Sequence, residues 1–207
     1  VTFSDSLETI GNHAFNCCQN LKSINLPNSL TSIDDGAFAD CDSLTDVDIP
    51  NSVTAIGDFA FSGAGLTSVT IPNSVVTIGG NAFSHTGLTS VIIPNSVTNI
   101  GDTPFIGCTN LNCLIVDDAN PKYDSRDNCN AIIETETNCL LFGCKSTFIP
   151  NSITSIEMFA FLDCEGLESI HIPNSVTSIG HSVFRDCKNL TSVTLPNSID
   201  CIRFSLF

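Results

Sequence analysis

Hydrophobic residues recur along this chain with a period of 22 or 23 residues, and their spacing changes within each period. One unit reads Leu-x-x-Val-x-Ile-Pro-Asn-Ser-Val-x-x-Ile-Gly-x-x-Ala-Phe, as in Leu66, Val69, Ile71, Val75, Ile78, Ala82 and Phe83. The prolines at 27, 50, 72, 94, 150, 173 and 196 mark the beat, which is broken once by a gap of 56 residues. Val69 and Ile71 stand two apart, the spacing of a strand that buries one face, so Ser68 and Thr70 point the other way. Pro72 fixes φ and has no N–H to give, so it stops the strand. Asn73 and Ser74 then supply a turn. The pair Val75 and Ile78, followed by Ala82 and Phe83, predicts a tight bend or a single helical turn, too short to stand alone.

One unit cannot enclose its own apolar residues, so the units must stack. Stacking places like on like. It predicts one ladder of Phe15, Phe38, Phe61, Phe83, Phe105, Phe161, Phe184 and Phe207, and another of Ile10, Ile33, Ile56, Ile78, Ile100, Ile156, Ile179 and Ile202. The expected architecture is a β-rich, right-handed solenoid with nine stacked strands in a parallel sheet on one face and short helical turns. It forms a single domain over residues 1–207. Both termini fall inside a unit and no polar cap is visible, which predicts a segment of a longer array or open ends covered by end-to-end self-association.

The gap holds 33 residues more than one period, with an insertion at about 117–144. Leu111, Leu114 and Val116 keep the strand pattern, but Asp117 stands where proline is expected. A polar, turn-rich run from Asn120 to Asn128 follows. Ala131–Glu134 and Cys139–Phe142 then flank Thr135-Glu136-Thr137-Asn138, which reads as a β-hairpin. Regular pairing of its arms sets Cys129 opposite Cys144, leaving open a cross-strand disulfide or two unlinked buried thiols.

The outward strand positions form one accessible face, mostly of small polar residues. Three adjacent strands differ: Ile92, Ile115 and Phe148 are expected side by side, next to the insertion. Such a cluster marks either a protein-binding patch or a surface covered by the inserted hairpin. Asp46 and Asp48 share the same face, as does His171. Two carboxylates without further ligands suit a solvated face better than a cation site.

Composition narrows the function. Against 22 acidic residues stand only 7 basic ones, a net charge of −15, which argues against nucleic-acid binding. No stretch approaches the roughly 20 consecutive apolar residues of a membrane span. Of 11 cysteines, Cys18, Cys41, Cys108, Cys164 and Cys187 each lie three residues after a repeat Phe, where other units carry Ala64 and Thr86. That position therefore wants a small side chain, and the thiols read as buried small hydrophobes. The chain shows no nucleophile elbow, phosphate-binding glycine loop or paired metal-ligand motif, so no catalytic residue, cofactor or metal is expected.

Leu-Thr-Ser-Val-Thr-Ile-Pro-Asn-Ser-Val, with Ile-Gly-x-x-Ala-Phe-x-x-Cys, resembles the BspA-type, or treponemal-type, leucine-rich repeat over essentially the whole chain. The insertion around Tyr123–Ile133 resembles one found in bacterial members. The resemblance implies surface-exposed or secreted proteins, some of them adhesins that bind extracellular-matrix or plasma proteins or other cells. It carries no catalytic residues to transfer. The functional expectation is a non-enzymatic protein-binding or adhesion segment at the cell surface or secreted. A purely architectural stalk and an intracellular scaffold remain as alternatives.

Overall fold

The computed structural model describes residues 3–199 and 206–207; Val1 and the repeat Ile202 lie outside them. Its strands are short. They are β1 (Thr9–Ile10), β2 (Ser32–Ile33), β3 (Ala55–Ile56), β4 (Thr77–Ile78), β5 (Ser90–Ile93), β6 (Asn99–Ile100) and β7 (Cys113–Val116), then β8 (Tyr123–Asp124), β9 (Ala131–Glu134), β10 (Cys139–Gly143), β11 (Ser155–Ile156), β12 (Ser169–His171), β13 (Ser178–Ile179) and β14 (Ser192–Thr194). The chain is a β-solenoid, each repeat forming one coil. Strands β1-β2-β3-β4-β6 run parallel in one sheet. A second sheet, β13-β11-β10-β9-β8, takes in the insertion, and β5-β7 and β12-β14 form two-stranded parallel pairs on another side.

The regular ladder is therefore not where the period-2 pattern placed it. It follows the proline turn, in the two-residue stretch ending at each repeat Ile, where a bend or helical turn was expected. Pairs such as Gly57 N–H to Ile33 C=O and Gly79 N–H to Ile56 C=O, both 2.8 Å, hold it. The Val-x-Ile segments make full strands in fewer coils because proline ends the ladder one donor short. At β7 the proline is replaced by Asp117, whose N–H donates to Ile93 C=O at 2.9 Å, and there all four residues pair.

The Pro-Asn-Ser turn forms as read: Val53 and Val75 N–H donate to Pro50 and Pro72 C=O at 3.0 Å. Its serine does a second task. Ser74 Oγ donates to Val53 C=O and Ser96 Oγ to Val75 C=O, both at 2.7 Å, tying each turn to the preceding coil.

The core is the phenylalanine ladder. Phe15, Phe38, Phe61, Phe83 and Phe105 stack with ring centroids 5.3–5.7 Å apart and near-parallel planes, and Phe161, Phe184 and Phe207 continue it beyond the insertion. Around each Phe the backbone is unusual. The residues two before and two after it hold positive φ in the seven regular coils from Phe15 to Phe184: His13 and Cys17, Gly36 and Asp40, Phe59 and Gly63, Asn81 and His85, Thr103 and Gly107, Phe159 and Asp163, Ser182 and Asp186. For a non-glycine residue this conformation costs about 1–2 kcal/mol. The return is a third ladder, in which alternate N–H groups point at the next coil: Asn81 to Asp102 C=O, Phe83 to Pro104 C=O and His85 to Ile106 C=O, at 2.7–3.0 Å. A coil is strained alone and relieved only by its neighbour.

The small position after each Phe completes this packing. Cys41, Cys108 and Cys187 donate Sγ–H to the carbonyls of Phe15, Phe83 and Phe161 at 3.0–3.2 Å. Burial pushes the Cys41 and Cys187 thiols up to about 11 and Cys164 up to about 12. All three stay protonated at neutral pH, and Cys41 and Cys187 act as donors in the core instead of nucleophiles.

Candidate protein-interaction surface

The insertion docks first on the coil before it. Asn120 Nδ2 donates to Pro94 C=O at 2.8 Å and Val97 C=O at 2.9 Å, and the buried Tyr123 places its hydroxyl 3.3 Å from Thr98 C=O. Asp124 and Arg126 then form a bidentate pair, with Arg126 Nη1 reaching Asn138 at 2.7 Å and Thr135 donating to Asp124 at 3.0 Å. Burial alone would raise the Asp124 carboxyl, but the bonds from Arg126 and Thr135, with the guanidinium charge, hold it below the usual carboxylate range.

The hairpin forms between β9 and β10, with a bulge at Leu141 that the regular pairing missed. Cys139 faces Glu134 and Leu140 faces Ile133, but Phe142 then faces Ile132 and Gly143 faces Ala131. The slip moves Cys144 out of register with Cys129. Both are free thiols in the structure, and they pack into different halves of the core. The bulge serves the stack: β10 pairs with β11, Leu140 standing in for a repeat Ile. Phe142 supplies a tilted rung 6.0 Å from Phe105. Gly143 then lets Phe161 press against the backbone, since a Cβ there would lie 2.3 Å from its ring.

The sequence-predicted surface residues fall into three groups. Ile92 and Ile115 are direct partners on β5 and β7, and Ile92 is 61% exposed while Ile115 is half-buried, so the hairpin does not fold over this pair. Phe148 is also exposed, but it does not follow Ile115 in a ladder. Its N–H donates to Cys129 C=O, and Asn130 Oδ1 accepts from Leu114 N–H, so residues 129–130 wedge between the two segments. Asp46, Asp48 and His171 are exposed on other coils. Among the described residues no cluster of three or more His, Cys, Asp or Glu side chains is arranged to hold a metal ion.

A feature that pattern reading did not find lies on the opposite side of the interruption. Between the coil at 100–104 and the coil at 157–159 opens a cleft of about 180 Å³, floored by Ile132, Leu141 and Phe142. Asp102 and Glu157 stand on its lips, and Phe159, 49% exposed, is held edge-on to His181 at 5.0 Å. Farther along, His85 of the preceding coil reaches across Gly107 to within 3.8 Å of Asp163 in the coil beyond the cleft. Its only sequence signal was the break in period.

Comparison with known proteins agrees with this layout. The BspA type leucine rich repeat region matches in six copies, over residues 1–112 and 135–207, and the unmatched stretch between them takes in β7 and the first part of the insertion. A leucine rich cell surface protein from Faecalibacterium prausnitzii is similar at 34% identity and TM-score 0.79 over 92% of this chain and 52% of its own. A leucine-rich repeat protein from Bacteroides ovatus is similar at 32% identity and TM-score 0.65, over 96% of this chain and 49% of its own. The pneumococcal vaccine antigen PcpA shares the fold at 22% identity and TM-score 0.77, over 94% of this chain and 50% of its own. The chain thus spans about half the length of these structures. No curated protein matches.

Proposed function

The chain belongs to the BspA-type leucine-rich repeat family, and from that premise we propose that it is a non-enzymatic, protein-binding segment of a cell-surface or secreted protein. The observation that carries this reading is the Ile92–Ile115 pair: two large apolar side chains on adjacent strands of a mostly polar face, Ile92 exposed and Ile115 half-buried beside the insertion. Water-exposed apolar pairs on a rigid sheet are the kind of anchor around which a protein contact forms. The similarity to a bacterial cell surface protein at 34% identity supports the location. The partner class is protein, either extracellular-matrix and plasma proteins of a host or surface proteins of neighbouring cells. Many weak contacts along the stacked face, multiplied by repetition, would add up to firm attachment.

Binding of the chain to a panel of immobilised plasma and matrix proteins, compared with the Ile92→Ser/Ile115→Ser double variant, tests this. A binder loses affinity by about tenfold or more, the scale of one lost anchor, while its melting temperature stays close to the parent. A spacer that merely presents other domains shows no binding to lose, and that result overturns the proposal.

A further inference from the structure

Every regular coil satisfies its neighbour through the same set of backbone groups, and at the cleft that set is left open. In coils before the break, the repeat Ile carbonyl accepts from the next coil, as Ile78 C=O does from Gly101 N–H at 2.8 Å. The positive-φ residue before Phe donates forward, as Asn81 N–H does to Asp102 C=O at 3.0 Å. On the last coil before the insertion the equivalent groups are Ile100 C=O and the Thr103 N–H. Among the described residues neither has a hydrogen-bond partner, and Met158 C=O, facing them from the coil beyond, has none either. Strand β6 is correspondingly the last of its sheet. Thr103 nevertheless holds φ at 46°, which is costly for a β-branched residue and is elsewhere offset by the bond that is missing here.

We propose that this cleft is a docking site for an extended peptide segment of a partner protein, seated as a substitute coil. Gly101 and Asp102 show how such a segment engages. One residue donates its N–H to Ile100 C=O, and the next offers its C=O to Thr103 N–H. Glycine suits the first of the two, because at the matching Gly101 a Cβ would lie 2.3 Å from the backbone of Gly80, although Asp34 and Glu157 make the equivalent bond in other coils. An apolar side chain then rests on Ile132, Leu141 and Phe142, beside Met158 and the exposed Phe159. A basic residue meets Asp102 and Glu157, since among the described residues no Lys, Arg or His lines the cleft and the chain carries a net charge of −15. The cleft is smaller than the roughly 300–1,000 Å³ of small-molecule sites, which fits one or two side chains of a peptide and not a compact ligand. Strand addition supplies affinity through the main chain and selectivity through the side chains.

This inference rests on the protein-binding reading but uses a different surface, so the two can fail separately. The probe is the peptide acetyl-Ser-Ile-Gly-Lys-Phe-Ser-amide, fluorescently labelled and titrated by anisotropy, with amide exchange at Thr103 followed in parallel. Saturable binding with slowed exchange at Thr103 is expected. Replacing the peptide lysine by glutamate, or its glycine by N-methylglycine, should weaken binding about tenfold, as loss of a charge pair or a main-chain bond does. Leu141→Arg should abolish it, and Asp102→Asn with Glu157→Gln, both at the surface, should weaken it about fivefold with the circular dichroism unchanged. The Ile92→Ser/Ile115→Ser variant should bind the peptide like the parent. Absence of binding, equal binding of the lysine and glutamate peptides, or indifference to the Asp102/Glu157 changes would each overturn the proposal.

Discussion

The coils from Phe15 to Phe105 and the interruption at 117–144 solve the same packing problem by different means. In the regular coils identical residues meet: Phe on Phe with planes 6–15° apart, Ile beside Ile, serine hydroxyl on the previous carbonyl. Repetition makes each contact reusable, and one strained backbone geometry serves every coil because the neighbour always supplies the missing bond. The interruption has no identical neighbour. It rebuilds the rung with Phe142 at 59° to Phe105 and replaces the repeat Ile by Leu140. Specific polar clamps from Asn120, Tyr123 and Arg126 take over where the repeating bonds lapse. The core stays filled, but some backbone groups stay open. In a repeat protein, function can collect where the repeat fails, because only there is the surface unlike its neighbours.

The comparison breaks most sharply at the ladder. Phe83 is fully buried between two stacked rings, so Phe83→Ala should cost about 3–5 kcal/mol in chemical denaturation. Phe142 touches the ladder on one tilted side and borders the cleft, where the void can open to water. Phe142→Ala should therefore fall about 1–2 kcal/mol short of the Phe83 loss. Equal losses at the two sites would mean that the substitute rung is as well packed as a regular one.

Glycine substitutions sharpen the same contrast on a smaller scale. At Gly79 a Cβ would sit 2.4 Å from the Gly57 carbonyl carbon, backbone against backbone with no flexible atom to yield, whereas Gly11 has nothing within 4 Å. Gly79→Ala should destabilise by about 1–3 kcal/mol, while Gly11→Ala should stay within about 0.5 kcal/mol of the parent. Thermal melts of the two variants check this. A neutral Gly79→Ala would show that adjacent coils can separate enough to admit a methyl group.

The repeat, its stacking and the phenylalanine ladder were legible in the sequence because they depend on side-chain identity at fixed spacing. The pairing of Ile92 with the half-buried Ile115 was legible for the same reason. The ladder ending at each repeat Ile was not, since two residues show no period. The positive-φ residues were hidden too: the position two before Phe is filled by His13, Gly36, Phe59, Asn81, Thr103, Phe159 and Ser182, a set with no shared propensity. The neighbouring coil imposes that geometry. The bulge at Leu141 escaped because the hairpin arms are apolar on both faces, so alternation could not fix the register. With the bulge unseen, Phe148 could not be separated from Ile115, nor Cys129 from Cys144.

The mildest test exploits the one tyrosine, Tyr123, which sits buried in the insertion and reports on it alone. Its neighbour Asp124 is held below the usual carboxylate range by Arg126 and Thr135. A carboxyl depressed in the folded state gives stability that is fully present above its unfolded value, near 3.9, and is lost as pH falls through the lower folded value. The regular coils lean chiefly on apolar stacking and main-chain bonds, which do not titrate, with carboxylates accepting from the next coil only locally, as at Asp35 and Asp58. On acidification below pH 4, tyrosine fluorescence should therefore change before the far-ultraviolet circular dichroism, as the insertion loosens from coils that still stack. Asp124→Asn keeps the shape but removes the charge, so it should weaken the insertion's docking already at neutral pH and take away its own share of the acid dependence. If fluorescence and circular dichroism instead move together in the parent, the insertion and the coils form one cooperative unit. The polar clamps would then be no weaker a joint than the ladder they interrupt.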